Sequence, residues 1–268
     1  IKNGSRKITL YSALLYCAIV ALIPVLPGLS ALFILYFFMG IVTGVLDVAM
    51  NAQAILVEQA YKKSIMTSFH ALFSIGMMVG AGSASLFTAL GTDLTYHFLI
   101  VAGAALLAVA WTSRNLVHDK PDPAHHTDGP LFRLPNRSIV SIGIITFCCM
   151  LGEGAMSDWS VNYMENVALA SKALAPIGLS AFATAMTVGR IFGDRARNHL
   201  GDQKMIILGG LMSLLGLSVA LAFPEPYISI TGFFVVGLGL SSIVPIAYSI
   251  AGNTKELPSG VGLAMVTT

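Results

Sequence analysis

The chain has 268 residues, of which 56% are hydrophobic and 10% charged, with a formal net charge of +2. Soluble domains carry about 25% charged residues, so this chain cannot cover a water-facing surface, and soluble enzymes and nucleic-acid binders are excluded as classes. Disorder is excluded too, because it needs low hydrophobicity and high charge.

A membrane-crossing helix takes about 20 apolar residues. In chain order the sequence predicts eight such spans, at 8–27, 30–57, 66–90, 95–113, 138–157, 172–193, 204–223 and 226–251. A ninth begins near Pro258. The expected fold class is therefore all-α, a polytopic membrane protein. Barrel strands are excluded, since they run about 9–11 residues with alternating polarity. Cys17, Cys148 and Cys149 lie inside apolar runs and read as buried small hydrophobes. No metal-ligand spacing, catalytic constellation or phosphate-binding loop stands out, so no metal, no cofactor and no direct use of ATP is expected.

The connectors at 1–7, 58–64, 114–137, 194–204 and 255–256 carry lysine and arginine. Those at 28–30, 91–95, 158–171 and 224–226 lie between them. With Arg190 counted at the helix end it flanks, all of the 15 basic residues except Lys172 fall on one side. The positive-inside rule makes that side cytoplasmic. The longest connector holds Asp119, Pro121, Asp122, Pro123, His125, His126, Asp128 and Pro130. It reads as an interdomain linker at 118–137, between a half at 1–117 and a half at 138–268. Its histidine pair has no third ligand at metal spacing and reads as solvated.

The two halves resemble each other. A shift of 197 residues places Gly4 on Gly201, Lys7 on Lys204, Pro27 on Pro224, Phe37 on Phe234 and Gly40 on Gly237. Each match sits at the same point of the helix pattern, as in a parallel repeat. Completing both copies predicts two further helices before Ile1 and more chain after Thr268. The whole would have twelve helices and roughly 375–400 residues. A chain without those helices is expected not to transport alone, because they would help to wall a cavity.

Six-plus-six parallel halves resemble the major facilitator superfamily. Gly4-Ser5-Arg6-Lys7 resembles the tail of its cytoplasmic loop motif, G-x-x-x-D-R-x-G-R-R. Gly189-Arg190-Ile191-Phe192-Gly193-Asp194-Arg195, followed by Gly201-Asp202-Gln203-Lys204, resembles the second-half copy with a longer spacer. The chain would then run from the third helix to the start of the eleventh. Leu46-Asp47-Val48-Ala49-Met50-Asn51 is similar to the acid-x-x-x-Asn segment of fucose-permease-like proton–sugar symporters. That segment, with Phe69–Gly76 and Gly152–Trp159, also resembles the YbjJ-like bacterial inner-membrane transporters. The resemblance implies a monomer in that membrane, with protons, a small-molecule substrate and the lipid bilayer as its partners and no nucleic acid. It implies a proton-coupled symporter of a sugar-like solute working by alternating access. A drug or metabolite efflux antiporter is the alternative. The antiporter signature G-x-x-x-G-P-x-x-G-G is only partly met around Gly76, Gly80 and Gly82, since Ala81 replaces its proline. A receptor or membrane-embedded enzyme would bind ligand without flux.

Asp47 lies about 24 Å from the outer start of its helix and about 16 Å from Glu58 at the other end, near mid-membrane. A charged carboxylate there costs about 2.5–3.5 kcal/mol, which argues against lipid exposure. Asn51, at i+4, shares its face. The pair suits a proton site beside a hydrogen-bonding substrate contact, and the resemblance implies the same. A buried acid bonded to a neighbouring helix is the plainer reading. Gln53 points away from this face. Glu153 is a second proton-coupling candidate, and Gly152 and Gly154 on either side of it permit local unwinding. Asp158, at the outer boundary, and Trp159 and Asn162 beyond it are cavity candidates. Trp159 suits either a sugar face or an interfacial anchor. His70 suits a proton relay or a packed histidine. For Gly4, Arg6, Arg190, Gly193, Asp194 and Arg195 the resemblance implies a cytoplasmic latch, and the plainer reading is a topological anchor. Gly40 with Gly44, and Gly76 with Gly80, are expected to allow close helix contact.

Overall fold

The computed structural model describes residues 4–118, 137–171, 174–254 and 259–267. The linker 118–137, its histidine pair, Lys172 and the connector 255–256 lie wholly or almost wholly outside them.

The described residues form ten α-helices and no strand. They are α1 (Ser5–Leu22), α2 (Gly28–Tyr61), α3 (Met66–Ala89), α4 (Leu94–Thr112), α5 (Arg137–Asn166), α6 (Ala175–Leu200), α7 (Asp202–Ala222), α8 (Pro226–Leu240), α9 (Ile243–Gly252) and α10 (Ser259–Thr267). Among the described residues, seven helical stretches are long and apolar enough to cross a membrane. Their outer faces carry large exposed apolar side chains, among them Phe33, Phe37, Leu107 and Trp111. Only a helix or a closed barrel can satisfy its backbone in lipid, so these runs fold as helices.

The eight expected spans correspond to α1 through α9, with three corrections. The span read at 226–251 is two helices, broken at Ser241 and Ser242. Pro245 explains the break. It has no N–H to bond the Ser241 carbonyl four residues back, and its ring clashes with that carbonyl. In the first repeat the matching residue is Val48, and α2 runs unbroken. The fifth span ends at Asn166 rather than 157, so most of the connector read at 158–171 is helix. Asp158, Trp159 and Asn162 lie within α5, not beyond its end. The sixth span ends at Leu200 rather than 193, which folds most of the connector 194–204. Two of its charged residues there, Asp194 and Arg197, find partners, so the helix continues. Arg197 Nε bonds Asp202 Oδ1 at 2.7 Å, Nη2 bonds Asp202 Oδ2 at 3.1 Å, and Nη2 also donates to Ser249 Oγ at 3.0 Å.

Two glycines matched by the expected repeat share a backbone conformation. Gly4 and Gly201 have φ of 77° and 79°, and each is followed by the first residue of a helix. Side chains rarely adopt this region, so glycine stands at both positions.

The contacts divide the chain into two compact units. One is Ile1–Ala60, Met77–Leu134 and Thr254–Ala264. In it, α4 packs on α1. The other is Tyr61–Gly76, Pro135–Asn253 and Met265–Thr268. In it, α8 packs against both α6 and α7, and α5 against α6 and α9. The α7–α8 seam is backbone on backbone. A Cβ on Gly216 would stand 2.6 Å from the Gly232 carbonyl oxygen, and one on Gly232 2.6 Å from that of Gly216. Small residues permit this approach, which membrane helices use in place of hydrophobic burial. At Gly40, Gly44, Gly76 and Gly80 the expected close contact is not made among the described residues, where a Cβ at each would meet nothing within 4 Å. The Gly152–Gly154 segment does not unwind either, and α5 is continuous through it. Gly152 instead admits the Leu240 side chain, 3.3 Å from where a Cβ would lie. Cys17 and Cys149 are buried, but Cys148 is exposed. Position 148 faces outward from α5, so burial does not extend to the neighbour of Cys149.

Candidate functional site

In the first unit, Asp47 is half-buried and Asn51 buried on α2. One helical turn separates them. Asn51 Nδ2 donates to Asp47 Oδ1 at 3.1 Å and to the Asp47 carbonyl at 2.9 Å. The amide thus holds the carboxylate from its own helix, and among the described residues no basic side chain pairs with it. Gln53 does point elsewhere, to a structural task. Its Nε2 donates to Ser5 Oγ at 2.7 Å and to the Val117 carbonyl at 3.0 Å, and its Oε1 accepts from Val117 N at 2.8 Å. One buried amide fastens α2 to the start of α1 and to the chain leaving α4. Gly4 is buried ahead of α1, and Arg6 is half-buried in its first turn.

In the second unit, the loop-motif copy takes up a defined geometry. Asp194 reaches the first turn of α3, where it accepts from Thr67 N at 3.0 Å, Ser68 N at 2.7 Å and Ser68 Oγ at 2.5 Å. First-turn amides have no partner within their own helix, and the positive end of the helix dipole favours a carboxylate. Asp194 supplies both needs from another helix. Gly193 makes room for it, since a Cβ there would strike Thr67 Cγ2 and come within 2.5 Å of Ser242 Oγ. Arg195 is exposed, whereas Arg197, which the motif reading passed over, is buried and paired.

Arg190 does not join Asp194. It pairs with Glu153, Nη2 to Oε2 at 3.3 Å, with side-chain exposures of 7% and 28%. Its Nη1 donates to Ser74 Oγ at 2.7 Å and its Nε to the Ser241 carbonyl at 3.4 Å. Cys149 Sγ lies 3.9 Å from Glu153 Oε1 and 3.7 Å from the Leu240 carbonyl. The unpaired carbonyls at the α8–α9 break are therefore met by side chains of α6 and α5. The Arg190–Glu153 pair was invisible in sequence, 37 residues apart with no motif linking them. His70 is half-buried, its ring centroid 5.8 Å from that of Tyr248, and among the described residues Nε2 has no hydrogen-bond partner.

The remaining candidates do not join this cluster. Asp158 and Asn162 are exposed on α5. Trp159 is 66% exposed and lines an apolar groove of about 740 Å³ formed by α5, α7, α8 and the first residue of α9, together with Cys148, Met156, Leu214 and Phe233. That lining suits an anchor more than a sugar platform. Tyr163, on the same groove, donates its hydroxyl to the Ala220 carbonyl at 2.6 Å and ties α5 to α7.

The described residues define a class, the all-α polytopic membrane proteins, with a carboxylate midway along an apolar helix and a helix-capping acid at the Gly193-Asp194 step of α6. Residues 2–268 match the Major Facilitator Superfamily, and the chain belongs to it. It is 35% identical over 269 residues to an uncharacterized MFS-type transporter of Yersinia pestis, covering 100% of this chain and 69% of that protein. It is 29% identical to the membrane protein MosC of Rhizobium meliloti, over 98% of this chain and 64% of MosC. An uncharacterized transporter of Sinorhizobium fredii, y4wD, is 27% identical over 98% of this chain and 70% of its own length. The chain thus spans about two thirds of these relatives. The family and the names of these relatives mark a membrane transporter, not an enzyme.

Proposed function

We propose that the protein is a proton-coupled symporter of a small polar solute, sugar-like or a related metabolite, in the YbjJ-like and fucose-permease-like branch of the superfamily. It acts as a monomer in a bacterial inner membrane. Asp47 takes and releases the proton, and Asn51 offers a hydrogen bond to the solute. The observation that carries this reading is the Asp47–Asn51 pair, a carboxylate with an amide partner and, among the described residues, no basic side chain paired with it, midway along an apolar 34-residue helix. Such acids rarely persist in a membrane without a transport role. Glu153, held by Arg190, is the second proton-coupling group. The carboxylate of Asp194 on the first turn of α3 serves as the cytoplasmic latch that holds one access state.

The test is uptake of a panel of neutral monosaccharides into liposomes carrying the intact protein, driven by a pH gradient. Asp47→Asn should abolish gradient-driven uptake while leaving solute exchange. Full gradient-driven uptake by Asp47→Asn would overturn the assignment. Efflux is the second reading, weakened by Ala81 in place of the antiporter signature's proline, and outward flux driven by an inward proton gradient would establish it instead.

A further inference from the structure

We infer that Arg190 is a positioning residue that ties the charge of Glu153 to two other elements, α3 and the α8–α9 break, so that loss of that charge loosens both together. The inference rests on the proposed role of Glu153 as a proton-coupling group and says what its protonation would move.

The geometry is a three-limbed guanidinium. One limb is the ion pair with Glu153 at 3.3 Å. A second is the hydrogen bond to Ser74 Oγ at 2.7 Å, on the third turn of α3. The third is the bond from Nε to the Ser241 carbonyl at 3.4 Å. That carbonyl is available because Pro245 offers it no N–H. A planar guanidinium presents its donors in a fixed fork, so displacing the whole group moves its limbs together, while loss of one neutral acceptor leaves it held by Glu153. Gly189, one residue before Arg190, has Ser241 Oγ where a Cβ would stand, so α6 lies directly against the break.

Arg190 is 7% exposed at its side chain. A buried cation needs its counter-charge, and removing one partner strands the other. When Glu153 takes a proton the ion pair becomes a hydrogen bond from the guanidinium cation to an uncharged acid, and among the described residues the oxygens that meet Arg190 are then all neutral. Arg190 gains by moving toward water or another acceptor, which weakens the Ser74 and Ser241 limbs at once. The other titratable groups near this cluster are Cys149, 3.9 Å from Glu153, and His70, within electrostatic reach of Arg190. Neither offers Arg190 a fixed negative charge in place of Glu153.

The experiment is amide hydrogen exchange on the detergent-solubilised protein, read at 70–77 of α3 and at 241–249 across the break. Glu153→Gln keeps shape and removes charge. It should raise exchange at both segments by about tenfold, the scale of one charge-assisted hydrogen bond, and leave α7 at its wild-type rate. An Arg190 that only fills space predicts no change in this isosteric variant. Glu153→Gln with Arg190→Met strands no charge and guards against misfolding. It should loosen the same two segments. Ser74→Ala should loosen 70–77 and spare 241–249. Wild-type protection at either segment in Glu153→Gln or in the double variant would overturn the linkage. Failure of the functional reading looks different: gradient-driven uptake persists in Glu153→Gln while the two segments still loosen together.

Discussion

At the scale of single residues, the clearest structural tie is Gln53. Its three hydrogen bonds hold the α1 start, α2 and the chain after α4, and replacement leaves Val117 N and O without their partner. Gln53→Leu should therefore cost about 2 kcal/mol, since a stranded buried polar group loses about 1–3 kcal/mol. Thermal unfolding in detergent measures this, and an unchanged midpoint would contradict it. Tyr163→Phe removes one hydrogen bond to Ala220 and keeps the ring, so about 1 kcal/mol is expected in the same assay. Sequence reading found Asp47 and Asn51 because their i,i+4 spacing puts them on one face. The tie made by Gln53 and the Arg190–Glu153 pair are not legible in that way. Both depend on partners far away in the chain, Val117 and α6, which periodicity within one helix does not report.

At the scale of elements, adjacent glycines on α7 make opposite predictions. A Cβ on Gly209 would lie 2.5 Å from the Gly239 carbonyl oxygen, while one on Gly210 meets nothing within 4 Å. Gly209→Ala should destabilise by about 1–3 kcal/mol through overpacking. Gly210→Ala should be neutral or stabilising by up to about 1 kcal/mol through helix propensity. Equal effects of the two would refute the α7–α8 seam. Asp93 caps α4, accepting from Thr95 N at 2.8 Å, and that hydrogen bond holds its carboxyl below the usual carboxylate range. A depressed folded-state pKa means the cap's contribution is present above the unfolded value, near 3.9, and is lost as pH falls through the folded value. Asp93→Ala should fray the first turn of α4 at neutral pH, with the difference from wild type vanishing in strong acid. Exchange at 95–97 checks this. The helices themselves were legible, because 20-residue apolar runs leave little else for a chain in lipid to do. The break at Ser241 and Ser242 was also written in the sequence, as Pro245, but an apolar run on both sides conceals it from a hydropathy reading. The longer ends of α5 and α6 were not legible, because Asp158 and Arg197 look like connector residues until their helical setting or their partners are known.

At the scale of the molecule, the second unit gathers its polar groups where α3, α5, α6 and the α8–α9 break meet. Asp194 and Arg190, four residues apart on α6, face different tasks there. Asp194 caps α3 from outside, and Arg190 carries the charge of Glu153 to Ser74 and Ser241. Asp194→Asn should keep one acceptor and lose the charge, raising exchange at 67–72, which includes the two capped amides, by about tenfold without altering 241–249. A matching rise at the break would show that the two residues act as one unit. The expected repeat rests on matches of glycine, proline, lysine and phenylalanine, and of these Gly4 and Gly201 carry a backbone requirement that the structure displays. The solute was not legible, since specificity rests on cavity contacts that no spacing rule encodes.

The central claim is that Asp47 couples solute movement to protons. Its most direct test is the pH of a lightly buffered suspension of vesicles carrying the intact protein, recorded as each neutral monosaccharide of the panel is added. For a transported sugar the account predicts alkalinisation of the medium with the wild-type protein and none with Asp47→Asn. Equal alkalinisation by both, or sugar uptake by the wild type without any proton movement, would contradict it.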